Sequence, residues 1–314
     1  MTHTKQLTAS KISVSERYAE FVENKPHSAK TEKLLFSGVG SKDVYNISAP
    51  FVFDGHTLIA GRIEDRDSEH SIAGFFHKVD GHWVLLEGAP TFVLQDPFVT
   101  FIDQELVFGG VEIAPHPENP QALTWKTVFY RGTALDNLTR FAEGPEGMKD
   151  IRLCEIEPNR IAVFTRPQGE VGGRGTIGYT EIDQLSNLTP TTINQAKLLT
   201  EQFEEHDWGG ANEAHHLGNG IIGVLSHVAM FDDKGDRHYY PSVFTYNSKN
   251  HTYSDLKIIA ERDLFTPGAA KRPDLIDVVF SGGLYGDLTD SKLKLFAGIS
   301  DAEAHWLEIN NPFL

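Results

Sequence analysis

The chain has little of several things, and each shortage narrows what it can be. Of its 314 residues one is cysteine, Cys154, so no intramolecular disulfide can form. That residue follows the strand-like stretch KDIRL and reads as a small buried hydrophobe rather than a reactive thiol. Cations are also short: 28 Lys and Arg stand against 44 Asp and Glu, a formal net charge of -16. A field of that sign repels phosphate backbones and anionic lipid, so neither nucleic acid nor a membrane surface is an expected partner. No apolar run approaches the length of a membrane span, and the opening MTHTKQLTASKISVSERYAEF has neither the apolar segment nor the cleavage-type site of a signal peptide. A cytoplasmic enzyme or binding protein is the expectation, under which the Asn-x-Thr triplets at Asn137 and Asn187 carry no meaning. Helix signals are few, with SERYAEFVENK near the start and TINQAKLLTEQFEEHD from Thr192 as the two candidates.

What is abundant is β-type sequence. Short runs rich in Val, Ile, Leu and Phe, punctuated by Gly, Asn, Asp or Pro, recur with the spacing of a sandwich, barrel or propeller. A weak internal repeat selects among these. Units begin at Ala49 (APFVFDGHTLIAGRIE), Asp96 (DPFVTFIDQELVFGGVE), Lys149 (KDIRLCEIEPNRIAVFTRP), Asn212 (NEAHHLGNGIIGVLSHVA) and Asp277 (DVVFSGGLYGDLTDSKLKLFAGISD). Five units of about 50 to 65 residues, each about four strands, match propeller blades. The expected fold is all-β, one five-bladed β-propeller domain over residues 1–314, with 1–44 packing on the propeller and 45–314 forming the blades.

The Asp-Pro at Asp96 gains a role in that fold. Proline lacks a ladder donor and is tolerated at a strand's first residue, so Asp96 sits at a strand mouth. The first strand of each blade lines the central axis, so Asn46, Asp96, Lys149, Asp150, Asn212, Glu213 and Asp277 are expected to converge on one polar pocket.

The ordered motifs resemble those of glycoside hydrolase family 130, the β-mannoside phosphorylases and hydrolases. They are QDPF at Gln95–Phe98, KD at Lys149 with TRP ending at Pro167, SHVA around His227, and DVVF leading to FAGISD at Asp301. Length and the altered motifs resemble more closely a related group of mannosyltransferase/phosphorylases acting on β-1,2-linked mannose chains. Phe98, Gln95 and Thr165 stand where the family pattern has arginine, glutamate and histidine.

The resemblance implies a glycoside phosphorylase or glycosyltransferase whose partner is a mannose-containing oligosaccharide, with inorganic phosphate as co-substrate and no other cofactor. It implies Asp96 as the general acid, which releases a sugar alkoxide if its pocket lifts its pKa toward neutrality. Taken alone, Asp96 also fits an ordinary turn or cap. Lys149, Arg166 and His227 are the expected phosphate ligands, against surface charges and a core histidine as the bland alternatives. Asn46, Arg62, Glu64, Asp150, Glu213 and Asp301 are the expected sugar-binding residues, although Arg62 and Glu64 equally fit a salt-bridge cluster. No metal is expected, because His215 and His216 on one strand face opposite ways. A nucleotide-sugar-dependent β-mannosyltransferase, a β-mannosidase using Asp301 or Glu213 as base, and a non-catalytic carbohydrate-binding propeller are the other readings. Oligomeric state is open.

Overall fold

A computed structural model describes residues 9–26, 29–116 and 119–314. They form a five-bladed β-propeller. Blade I carries Asp43–Tyr45, Phe51–Phe53, His56–Glu64, Ser71–Val79 and His82–Leu85, with Phe36–Ser37 added in parallel at its rim. Blade II runs Gln95–Ile102, Glu105–His116, Asn119–Gly132 and Thr139–Glu143. Blade III runs Arg152–Glu157, Arg160–Thr165, Gly178–Ile182 and Lys197–Leu198. Blade IV is built on Trp208–Gly218, Ile221–Phe231 and Arg237–Asn247, with Thr252–Tyr253 and Lys257–Ile258 at the edge. Blade V takes three strands from the C-terminal part, Val279–Tyr285, Lys292–Ile299 and Glu303–Asn310, and its fourth, Thr31–Lys33, from the N-terminal part.

The alternation of strand side chains explains how the blades stack. In His56–Glu64, Leu58 and Ala60 join a cluster with Leu106, Phe108 and Val128 of blade II. Ile59 and Ile63, on the other face, pack with Phe296, Ala304 and Trp306 of blade V. Each of the five apolar clusters likewise lies between two neighbouring blades. Cys154 belongs to the cluster between blades III and IV, and burial pushes its thiol up to about 12, which keeps it protonated and unreactive.

Of the two expected helices, the first forms at Val14–Asn24. Its N-cap Ser13 accepts from the Glu16 amide at 3.2 Å, and Glu16 accepts back from the Ser13 amide at 2.9 Å. The second is corrected. Only Pro190–Asn194 is helical, and Lys197–Leu198 instead pairs with Gly178 and Tyr179 as the outer strand of blade III. Completing the sheet buries Leu199 and Phe203 between blades III and IV, a tertiary gain that overrides local helix preference. No helix among the described residues is long and apolar enough to cross a membrane.

Candidate functional site

Asp96 and Pro97 lie inside the strand Gln95–Ile102 but outside its ladder. Pairing with the next strand jumps from Gln95↔Val111 to Phe98↔Gly109, so the missing proline donor coincides with a β-bulge. Asp96 has φ +48, and Asn46, Asp150 and Asp301 share that left-handed conformation at +45, +58 and +50. Asn and Asp tolerate this region best among non-glycine residues, which is why short polar side chains recur at these positions.

Two connected clusters result. In the first, Asp96 Oδ1 accepts from Asn46 Nδ2 at 2.7 Å and from Arg62 Nη1 at 3.1 Å. Arg62 Nη2 also donates to Glu64 Oε1 and Oε2 at 2.8 and 3.0 Å. Glu64 further accepts from Tyr45 and, at 2.9 Å, from Lys271 Nζ. Asn46, Arg62, Glu64 and Asp96 are all buried. Burial pushes the Asp96 carboxyl up, but the Arg62 guanidinium, the Lys149 ammonium and the Asn46 hydrogen bond together outweigh it and hold the group below the usual carboxylate range. Asp301, half-buried nearby, goes the other way. Burial raises it and the Asp96 charge adds to the rise, against the pull of Arg62, Lys271 and Lys149.

In the second cluster, buried Asp150 faces Arg166 Nη1 at 3.3 Å and Arg152 Nη2 at 3.8 Å. His227 Nδ1 meets Asn212 Oδ1 at 2.8 Å. Gly210 makes this crowding feasible: a Cβ there would lie 2.8 Å from Arg166 Cδ, 3.0 Å from His227 Cε1 and 3.2 Å from Asp150 Cβ. Burial drives the His227 imidazolium down to about 3, with Arg166, Lys149 and Arg152 adding to the shift against the attraction of Asp150. His227 is therefore neutral near pH 7 and brings no positive charge to an anion.

Lys149 links the clusters, since its field lowers both Asp96 and Asp150. Its ammonium forms no hydrogen bond or ion pair with a described residue, whereas Arg166 Nη1, buried without a hydrogen bond, is ion-paired to Asp150. Both line a cavity of about 460 Å³ with Gln95, Gln168, Arg174, Trp208, Arg237 and Tyr239 among its other walls. Asp96 itself is not on that wall, but its neighbour Gln95 is. A cationic cavity above a buried carboxyl can hold an oxyanion next to a proton-exchanging group.

Two expected members lie elsewhere. Glu213 follows a bulge at Ala211/Glu213 and bonds His215 Nε2 at 2.7 Å and the Leu284 amide at 2.8 Å, with no bond to the Asp96 cluster. Asp277 is bound by His238 Nδ1 at 2.6 Å and Tyr240 at 2.8 Å on the flank of blade IV. Sequence reasoning missed Lys271, Tyr45 and Arg152. Lys271 comes from the 259–276 connection between blades IV and V, which has no repeat signal, and only folding brings it to Glu64. Among the described residues no group of three or more His, Cys, Asp or Glu is arranged to hold a metal ion.

Known structures share this architecture. MPT-4, a mannose phosphorylase from Leishmania mexicana solved with phosphate ion, is 32% identical, with 95% of this chain and 93% of that one aligned at a TM-score of 0.86. MPT-1, a GDP-Man-dependent mannosyltransferase from the same organism, is 32% identical over 96% of this chain and 95% of its own, at a TM-score of 0.85. A β-1,2-mannobiose phosphorylase from Listeria innocua, solved with β-1,2-mannobiose, matches 92% of this chain and 93% of its own at 12% identity and a TM-score of 0.61, which speaks to fold alone. No curated protein matches the chain. Residues 20–314 match the family described as "Protein of unknown function (DUF1861)", and with the two Leishmania structures alongside, the chain belongs to that family of mannose phosphorylase- and mannosyltransferase-like propellers.

Proposed function

We propose that this protein is a glycoside phosphorylase that moves a mannosyl unit, with inversion, between a β-1,2-linked mannooligosaccharide and inorganic phosphate. One observation carries the reading: Lys149, with no ion-pair partner among the described residues, and Arg166, ion-paired to Asp150 behind it, line a cavity whose walls carry no carboxylate, within the field of buried Asp96. Phosphate is already a nucleophile, so it needs cations to hold it and no second carboxylate to activate it. The mannoside's departing oxygen takes a proton from Asp96, directly or through a sugar hydroxyl, as the C1–O bond to phosphate forms.

In the resting site Asp96 is held ionised. A phosphate dianion opposite Lys149 offsets part of the pull that lowers the Asp96 carboxyl, so the co-substrate shifts the acid toward its protonated form. Asp301 hydrogen-bonds a sugar hydroxyl, and Asn46 and Arg62 fix Asp96. Hydrolysis has less support, because Glu213 is tied to His215 and Leu284 and the other candidate base, Asp301, is pushed away from its ionised form. The likeness to a GDP-Man-dependent enzyme at 32% identity supports transfer from a nucleotide-sugar as the second reading.

The test is release of mannose 1-phosphate from β-1,2-mannobiose, with and without phosphate, for wild type and Asp96→Asn. Phosphate-dependent product that vanishes in the variant supports the proposal. Free mannose formed without phosphate sinks it, and turnover only with GDP-mannose selects the second reading.

A further inference from the structure

One buried carboxylate outside both clusters is held by parts of the chain that are far apart in sequence. Glu303 opens the last strand, Glu303–Asn310, and its side chain is 6% exposed. Its Oε1 accepts from Lys33 Nζ at 2.5 Å and from the Ala269 amide at 3.0 Å, and its Oε2 meets His305 Nε2 at 3.0 Å. Lys33 belongs to the N-terminal strand of blade V, and Ala269 to the 259–276 connection. Gly268 permits the approach, since a Cβ there would lie 2.1 Å from Glu303 Oε2. Burial pushes the Glu303 carboxyl up, but Lys33, the Ala269 amide and His305 outweigh it, so the group is ionised near pH 7. A buried charge with three partners is costly to disturb, which makes it a firm anchor for whatever it holds.

What it holds leads to the sugar side of the candidate site. Lys271 is two residues beyond Ala269, no more than about 7 Å of extended chain, so fixing the Ala269 amide limits where Lys271 can go. The Lys271 amide donates to the Ser300 carbonyl at 2.9 Å, and its ammonium reaches Glu64 at 2.9 Å and Glu69 at 3.1 Å. Ser300 is gripped by the same connection: its Oγ accepts from Arg262 Nε at 3.2 Å and donates to the Ile276 carbonyl at 2.7 Å. Ser300 and Asp301 are both left-handed, at φ +53 and +50, a turn that costs energy without glycine and persists when its surroundings hold it. Glu303 is thus two residues from Asp301 along the chain and, through Ala269, two residues from Lys271. Neither Glu303 nor Ala269 lines the cavity of Lys149 and Arg166.

We propose that Glu303 is a positioning residue for the glycan: by anchoring the 259–276 connection it sets Lys271 against Glu64 and steadies the Ser300–Asp301 turn, without touching substrate itself. The inference rests on the reading that Asp96, Glu64 and Asp301 face the sugar. Its test is calorimetric titration of the whole protein with β-1,2-mannobiose and, separately, with orthophosphate. Glu303→Gln should weaken mannobiose binding about tenfold, the scale of one lost charge-assisted hydrogen bond, and leave orthophosphate affinity within about twofold of wild type. Because Glu303 acts chiefly through Lys271, the same change made in Lys271→Met should cost about threefold at most. A full tenfold loss in that background, an equal loss of phosphate affinity, or unchanged sugar affinity in the folded variant overturns the inference. Where Glu303→Gln does not fold, Lys33→Met, at a side chain 44% exposed, removes one of the three partners and should show the same split at smaller size. Wild type that binds no mannobiose defeats the sugar reading and this inference with it, whereas wild type that binds it no better than Glu303→Gln defeats the inference alone.

Discussion

Asp96 and Asp301 sit in the field of one guanidinium, that of Arg62, and are driven in opposite directions. Asp96 has Arg62 at 3.1 Å and Asn46 at 2.7 Å, and the Asp301 carboxyl has no hydrogen bond among the described residues. Environments that separate two carboxyls in this way divide proton-handling roles between them.

Asp96→Asn should therefore lower kcat by about 100-fold or more, the usual contribution of a positioned acid. Asp301→Asn keeps a hydrogen-bonding side chain of the same shape at a carboxyl whose charged form is already disfavoured, so it should chiefly raise KM for the sugar. Steady-state kinetics of both variants decide the matter. A larger kcat loss in Asp301→Asn would move the acid role to that residue.

Phosphate binding should draw a proton from solution. Lys149 helps hold Asp96 ionised, and a dianion opposite that ammonium cancels part of its effect. Titration in buffers of different ionisation enthalpy reads the uptake directly. Because phosphate itself exchanges a proton near neutral pH, the readout is the difference between proteins: uptake should be larger in wild type than in Asp96→Asn.

Acid should destabilise the fold before the carboxylates titrate. His227 is held neutral, its pKa depressed from 6.5 to about 3, so the unfolded chain binds a proton that the folded chain refuses. The stability tied to His227 is complete above about pH 6.5 and is lost as pH falls toward 3. Urea unfolding between pH 7 and pH 4 should show that slope, and His227→Gln should flatten it.

Arg62→Leu should cost about 3–5 kcal/mol of stability, because Asp96 loses its ion pair and Glu64 keeps only Lys271 and Tyr45. Chemical denaturation measures this loss. A cost under about 1 kcal/mol would mean that Lys271 alone compensates the buried acids.

The parts legible in the sequence are those that repeat. Five paired strand runs gave the blade number, and Asn46, Asp96 and Asp150 lie near blade openings where the same left-handed bend recurs. Arg62 and Glu64 could be paired because strand alternation puts them on one face, and they are hydrogen-bonded. What was not legible depends on tertiary placement. The bulge at Ala211/Glu213 turns Glu213 toward blade V, and Asp277 lies just outside its strand, where His238 and Tyr240 capture it. Lys271 and Arg174 come from connections between strands, where no periodicity indicates a direction.

The pairing of Thr31–Lys33 with His305–Leu307 makes assembly a problem of sequence in time. During synthesis, a three-residue strand made early must stay unpaired until almost the whole chain has followed it. Until then both it and its eventual partner are open sheet edges, able to capture the corresponding strand of another molecule. Joining segments so distant along the chain is slow, so the last latch of the ring is where folding and strand-exchanged dimerisation compete.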